Sequence, residues 1–239
     1  MADLDKLWES INKSEWGAFT SQGYNSSQNK QLLFVREYTK IKNGLLLRVK
    51  VTNGTHSDIS IHSLVVADFV IPEIFRVDKV LENGWQQGNE TCLRSLNYSS
   101  SKRKFMKWLQ NEHSFRDNYG YIKGSIVSEW FTQIKFSDLS LVIGAVTTAD
   151  QFSQIFIKKN NGEVRVRITC QLDGLTLKKG VSIESEKVAL IFGETDESLR
   201  GLAQLVAKYM DVLEVKPAIK GVSCAYGWKG DYVSQQIVT

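Results

Sequence analysis

Four dipeptides, Asn43-Gly44, Asn53-Gly54, Asn161-Gly162 and Asp173-Gly174, limit the fold more than any other feature. A two-residue type I′ turn needs positive φ at both central positions, which Asn, Asp and Gly supply at low steric cost, so each pair predicts an antiparallel hairpin. The segments around them are β-rich, and several alternate apolar with polar residues: Gln31–Thr39, Leu45–Thr52, Ile59–Val70, Ile74–Val80, Ser128–Phe136, Leu139–Thr147, Gln154–Lys159, Glu163–Leu172 and Gly180–Phe192. Nine or ten strands with no long helix between them predict a mainly β fold, a large antiparallel β-sandwich of two stacked sheets. No internal repeat of propeller or solenoid length is visible.

Helices are expected only at the flanks. Leu4, Leu7, Trp8 and Ile11 share one face of a short N-terminal helix, giving a helical lead over 1–15 before a sandwich over 16–193. Leu199, Leu202, Ala203, Val206, Met210 and Leu213 form the stripe of a helix over Asp196–Leu213, with Thr195 or Asp196 as its cap, inside a connecting segment 194–216. Pro217 stops that helix. From there Val222–Ala225 reads as a short strand, followed by a loop with Tyr226, Trp228 and Tyr232 and a helix start at Ser234. Strand, aromatic loop and helix start are the opening unit of a β/α barrel, so 217–239 is expected to be the first strand of a truncated barrel. Between Glu82 and Gly124 the pattern is irregular, with one or two helical turns expected within Lys102–Asn111.

Composition narrows the partners. A net charge of +4 against 56 charged residues makes no electrostatic case for nucleic acid, and the run Lys102-Arg103-Lys104 reads as a solvated loop. No segment approaches 18 apolar residues and the N-terminus lacks a signal-peptide pattern, so no membrane partner and a cytoplasmic location are expected. Cys92, Cys170 and Cys224 are odd in number and lack metal-ligand spacing, which predicts free thiols. His56, His62 and His113 show no zinc spacing either, and no motif implies a cofactor.

Two segments carry a resemblance. Gly221-Val222-Ser223-Cys224-Ala225-Tyr226-Gly227-Trp228-Lys229-Gly230-Asp231-Tyr232 is similar to the segment that opens the catalytic barrel of glycoside hydrolase family 36, the α-galactosidases and their raffinose-synthase-like relatives. Gly221, Cys224 and Ser234 fit that pattern, whereas Val222 or Ser223 stands where the family has its first tryptophan, Ala225 where it has serine and Tyr226 where it has the second tryptophan. Leu81-Glu82-Asn83-Gly84-Trp85-Gln86-Gln87 resembles the asparagine-glycine-tryptophan-glutamine loop in the N-terminal sandwich (supersandwich) of the same enzymes. The resemblance implies a sandwich, then a helix, then a barrel, with the sandwich loop placing its aromatic residue against galactose.

The chemistry implied is retaining glycoside hydrolysis, which uses two carboxyl groups about 5 to 5.5 Å apart. In the resembled family both are aspartates on later barrel strands, and after the first strand this sequence offers only Asp231. Glu82, Glu90 and Asp173 read as solvated loop charges. No catalytic residue is therefore expected, and the chain is expected to be inactive alone. Binding candidates are Trp85, Tyr226 and Trp228, whose flat rings suit the C–H face of a sugar, with Lys229 and Asp231 for its hydroxyls. Trp8, Trp16, Trp108 and Trp130 read as packing residues. Three functions stay open: the sandwich portion of an α-galactosidase-like hydrolase partnered by a second chain with the rest of the barrel, a stand-alone galactoside- or carbohydrate-binding sandwich, or an assembly module.

Overall fold

A computed structural model describes residues 2–28, 32–84, 91–96 and 120–210. Helix α1 (Ala2–Asn12) precedes fourteen strands: β1 (Glu15–Thr20), β2 (Gly23–Ser26), β3 (Leu32–Ile41), β4 (Gly44–Asn53), β5 (Ile59–Ile71), β6 (Lys79–Glu82), β7 (Cys92–Ser95), β8 (Ile126–Glu129), β9 (Phe131–Phe136), β10 (Leu139–Ala145), β11 (Phe152–Asn160), β12 (Glu163–Leu177), β13 (Ser182–Glu184) and β14 (Val188–Glu194). Helix α2 (Thr195–Tyr209) follows. Six strands form one sheet in the order β2-β1-β5-β12-β11-β8, and eight form the other, with β13-β4-β14-β10-β9-β6-β7 in line and β3 on β4. The pairs are antiparallel throughout, for example Phe152–Asn160 on Gln171–Glu163. The architecture is thus a two-sheet antiparallel sandwich followed by a helix, and the described residues include no β/α barrel. The expected barrel strand over 217–239 and the turns within Lys102–Asn111 lie outside the described residues.

Alternation explains the core. On β12, Val164, Val166, Ile168 and Cys170 point inward, while β4 contributes Leu45, Leu47 and Val49, β10 Leu141 and Ile143, and β14 Val188, Leu190 and Phe192. These side chains are buried between the sheets, the commonest way for two half-apolar surfaces to leave water. The stripe of α1 joins them through Leu7 and Ile11, both fully buried, with Leu4, Trp8 and Trp16 packed alongside. Arg36 fastens the end of this helix: Nη2 donates to Asn12 O at 2.7 Å and Nη1 to Ser14 Oγ at 2.6 Å, with the guanidinium 4.0 Å above the Trp16 ring. A cation there also suits the negative end of the helix dipole.

The outer face of the eight-stranded sheet is apolar too, and α2 covers it. Leu202 packs with Leu46, Val142, Ala189 and Ile191. Close approach depends on Gly144, where a Cβ would fall 2.6 Å from Leu202 Cδ2 and 2.9 Å from Phe131 Cβ. A buried chain of hydrogen bonds fixes the helix start: Gln133 Nε2 donates to Thr195 O and Ser140 Oγ, and Ser140 and Ser198 share a 2.7 Å hydroxyl bond. Neither Thr195 nor Asp196 caps α2 through its side chain as anticipated; Glu194 holds the cap position without a side-chain bond, and Asp196 and Glu197 supply the negative charge of the first turn. Among the described residues no helix is long and apolar enough to cross a membrane.

Several local expectations are corrected. Asn161-Gly162 does turn β11 into β12, with φ 48 and 94. The β3–β4 hairpin also exists, although its turn is Lys42-Asn43 and Gly44 already lies in β4. Asp173-Gly174 is no hairpin but a bulge inside β12, where the register on β5 shifts between Gln171 and Leu175. Asn53-Gly54 leads from one sheet to the other. Its fully buried Asn53 organises that crossing, donating to Ser57 O and Leu177 O and accepting from Thr55. Ile74–Val80 is mostly a turn after Pro72, with strand only from Lys79.

Ser128–Phe136 is two strands rather than one. The chain changes sheet at Trp130, which adopts φ 68. For a bulky L-residue the left-handed region costs roughly 1–2 kcal/mol, so the sheet change is made against the local preference of the chain.

Candidate functional site

The base of the Asn83-Gly84-Trp85 segment is gripped where β6 meets β8. Glu129 N–H donates to Asn83 O at 2.8 Å, and Asn83 Nδ2 returns a bond to Glu129 O at 2.7 Å. Asn83 N–H donates to Ser128 Oγ at 2.9 Å, and Thr91 Oγ1 donates to Asn83 Oδ1 at 3.0 Å across the loop that the two residues bracket. Ser128 and Thr132 hydroxyls both donate to Leu81 O. An asparagine suits this place because its carboxamide carries a donor NH2 and an acceptor oxygen side by side. Asn83 is therefore fixed by four bonds, three of them to the outermost strand of the six-stranded sheet.

From that root a polar row crosses the outer face of the six-stranded sheet. Register aligns Glu129 with Gln154, and Gln154 with Thr169. Gln171 Nε2 donates to Gln154 Oε1 and to Thr169 Oγ1, both at 3.1 Å. All four are buried, from 0% exposed for Gln154 and Thr169 to 7% for Gln171, which ordinary solvent-facing positions of a strand are not. Aromatic rings border the row: Phe156 lies under Tyr121 at 5.9 Å, and Phe19 against Tyr24 at 4.9 Å. Sequence periodicity missed Glu129, Gln154 and Gln171, because polar residues at every second strand position look the same whether water or protein covers them.

Farther along the same face, Asp68 accepts from Arg165 Nε at 2.6 Å and Nη2 at 2.8 Å, and from Arg167 Nε at 2.6 Å. Arg167 Nη1 also donates to Gly120 O, tying the start of the 120–125 segment to the sheet. Tyr24 at this end has its phenol pushed up to about 12 by burial and by the charges of Glu15 and Asp68. Among the described residues Asp68 and Glu129 are the two buried carboxyls of this face; they are on β5 and β8, strands about 14 Å apart at three strand spacings, and two positions out of register besides. That is too far for the paired carboxyls of a glycosidase. Glu186, a third buried acid, accepts the N–H groups of Asp150 and Gln151 and serves a turn.

The predicted site residues Trp85, Tyr226, Trp228, Lys229 and Asp231 lie outside the described residues, as do Glu90, Trp108, His113 and Cys224. Glu82 is not the solvated loop charge anticipated; it belongs to β6 and pairs with Arg94 at 2.6 Å. Asp173 is exposed on its bulge. Burial pushes the Cys170 thiol up to about 11, against a weaker opposing pull from Ser153. His56 lies 3.0 Å from Lys179 Nζ, and among the described residues no group of three or more His, Cys, Asp or Glu could hold a metal.

No family model matches the chain, and no curated protein does. Solved structures with a partly similar course include the galactosidase domain of the α-galactosidase-sucrose kinase AgaSK, 11% identical over 71% of this chain and 23% of that one, with a TM-score of 0.48. The GH36 α-galactosidase AgaB from Geobacillus stearothermophilus is 12% identical over 76% and 24%, with a TM-score of 0.46. A polysaccharide lyase is 10% identical over 80% and 28%, with a TM-score of 0.35. The chain spans about a quarter of the length of these proteins. Likeness at this level says nothing of activity, which rests on the residues themselves.

Proposed function

We propose that the chain is the N-terminal sandwich portion of an α-galactosidase-like glycoside hydrolase, a module that contacts the sugar and does not hydrolyse it alone. The observation that carries this reading is the rooting of the Asn83-Gly84-Trp85-Gln86 motif: Asn83 is bonded four ways at the edge of the sandwich, as a loop that must present an aromatic residue in a fixed direction requires. Trp85 stacks on the C–H face of galactose in this reading. Residues 217–239 open the barrel, with Tyr226 and Trp228 beside the sugar and Lys229 and Asp231 on its hydroxyls. The later barrel strands, on a continuing or a second polypeptide, bring the two catalytic carboxyls. The wide separation of Asp68 and Glu129 supports a division of labour in which the sandwich binds and the barrel reacts.

Hydrolysis of an aryl α-galactoside tests the proposal. The 239-residue chain alone is expected to show no turnover above buffer, and to gain turnover when mixed with a chain carrying the remaining barrel strands of this family. Turnover by the chain alone would overturn the division of labour. Neither complex formation nor activity in the mixture would remove the two-chain version.

A further inference from the structure

Four Asn-Gly pairs occur in the chain, beginning at Asn43, Asn53, Asn83 and Asn161. Such a pair is chemically reactive because glycine has no Cβ to shield its nitrogen, which can attack the carboxamide carbon of the asparagine before it. The attack needs a carboxamide free to swing, a glycine nitrogen outside any ladder, and backbone that can rotate without disrupting a sheet. The fold grants these conditions unequally. Asn53 is fully buried, with Nδ2 donating to Ser57 O and Leu177 O and Oδ1 accepting from Thr55. Asn83 has Nδ2 on Glu129 O and Oδ1 on the Thr91 hydroxyl. Both carboxamides are held at both ends. Asn43 is exposed, but Gly44 is clamped in β4 between Ile41 of β3 and Ile191 of β14, so closely that a Cβ there would fall 2.2 Å from Leu190 O.

Asn161-Gly162 meets all three conditions. The two residues are exposed and form the whole turn between β11 and β12, closed by the pair Asn160 and Glu163. In a two-residue hairpin the ladder bonds belong to the closing pair, which leaves the Gly162 nitrogen to solvent. A Cβ at Gly162 would meet nothing within 4 Å, and the Asn161 carboxamide has no hydrogen bond among the described residues. The tip also stands clear of its neighbours: β8 follows β11 only as far as Ile157, and β5 meets β12 only from Val164. Asn161 is left-handed, with φ 48, which turns the next nitrogen away from the carboxamide, so the turn must open before attack. Opening an exposed two-stranded tip breaks few bonds, whereas freeing Asn53 means opening the crossing between the sheets.

We propose that Asn161 is a site of spontaneous deamidation, the one of the four that reacts in the folded protein, with water as co-reactant. The Gly162 nitrogen forms a bond to Asn161 Cγ, the Cγ–Nδ2 bond breaks, and ammonia leaves with the proton that the glycine nitrogen gives up. Water then opens the five-membered imide. Attack at Cγ restores the main chain and leaves aspartate; attack at the main-chain carbonyl carbon leaves isoaspartate, with the chain running through the side chain. Either product puts a carboxylate at the tip beside Glu163, and isoaspartate also lengthens the turn by a methylene. The bonds of Asn83 are untouched, and the inference is independent of the carbohydrate reading.

The test incubates the full chain in mildly alkaline buffer, folded and in concentrated guanidinium chloride, and follows acid formation at each Asn-Gly pair by peptide mapping with mass spectrometry. Unfolded, the four pairs should convert within about threefold of one another, since the same glycine follows each asparagine. Folded, Asn161 is expected to convert at least about tenfold faster than Asn43, Asn53 or Asn83. Equal conversion at the four pairs in the folded chain would overturn the proposal, as would faster conversion at any of the other three. So would an Asn161 that stays intact in the folded chain while the unfolded chain reacts.

Discussion

Asp68→Ala is expected to destabilise the protein by about 3–5 kcal/mol, enough to unfold a marginal domain near body temperature. The carboxylate is 4% exposed and takes three charge-assisted bonds from two arginines. The two pairs are not equal. Arg165 is 45% exposed, so water takes up its charge once the partner is gone, and that pair contributes little. Arg167 is 16% exposed and cannot be rehydrated in the same way. Loss of Asp68 leaves it as a buried unpaired cation, which is where most of the penalty arises. The double variant Asp68→Ala with Arg167→Met should therefore be more stable than Asp68→Ala alone, because the stranded charge is removed. Urea unfolding of the two variants and wild type checks both statements. A loss below about 1 kcal/mol in Asp68→Ala would show that Arg167 finds water in the folded state.

On the proposed sugar-binding role, Asn83→Ala should produce the largest change in ligand binding. The side chain gives up its bond to Glu129 O, leaving that carbonyl in a residue only 3% exposed, and it loses the bond from Thr91 across the loop. An orphaned buried acceptor costs about 1–3 kcal/mol, so the midpoint of unfolding should fall modestly. Asn83 then keeps only its main-chain bonds to Ser128 and Glu129. Galactoside affinity is expected to drop by more than about tenfold, since the ordering of the loop must then come out of the binding energy. Asn83→Asp separates the two bonds: it retains the acceptor for Thr91 and loses the donor to Glu129. Equal affinity in wild type and Asn83→Ala would show that the four-bonded root is structural and unrelated to recognition.

Much of the sandwich was legible because period-2 alternation reports which side of a strand faces apolar neighbours. Val164, Val166, Ile168 and Cys170 could be assigned inward from β12 alone. Helix α2 was legible for the equivalent reason at period 3.6, although Ala203 and Met210 of the expected stripe are exposed and the helix ends at Tyr209. Turn chemistry misled in a specific way. Asn161-Gly162, Asn53-Gly54 and Asp173-Gly174 offer the same ease of positive φ, yet the first makes a hairpin, the second leads across the sheets and the third bulges out of one strand. A dipeptide reports the dihedral it can adopt and not the sheet that the next strand joins.

The break at Trp130 had no local signal at all. Neither Gly, Pro nor Asn marks it, and the left-handed corner is imposed by bonds to Ser153 and Ala145, 23 and 15 residues away in sequence. The site was legible only in part. Asn83 stood in a recognisable motif, although the number of bonds it makes did not. Glu129, Gln154 and Gln171 were invisible as a group, because their alignment is a matter of which strands are neighbours. The aromatic residues Trp85, Tyr226 and Trp228 remain assigned from sequence alone.

Calorimetric titration of the full chain with methyl α-galactoside, beside methyl α-glucoside and the Trp85→Ala variant, reaches the central claim directly. Sugar recognition through the Asn83-rooted loop predicts a saturable one-site heat with the galactoside, weaker or absent with the glucoside, and lost in Trp85→Ala. No saturable heat with either sugar, or the same heat in Trp85→Ala as in wild type, would contradict it.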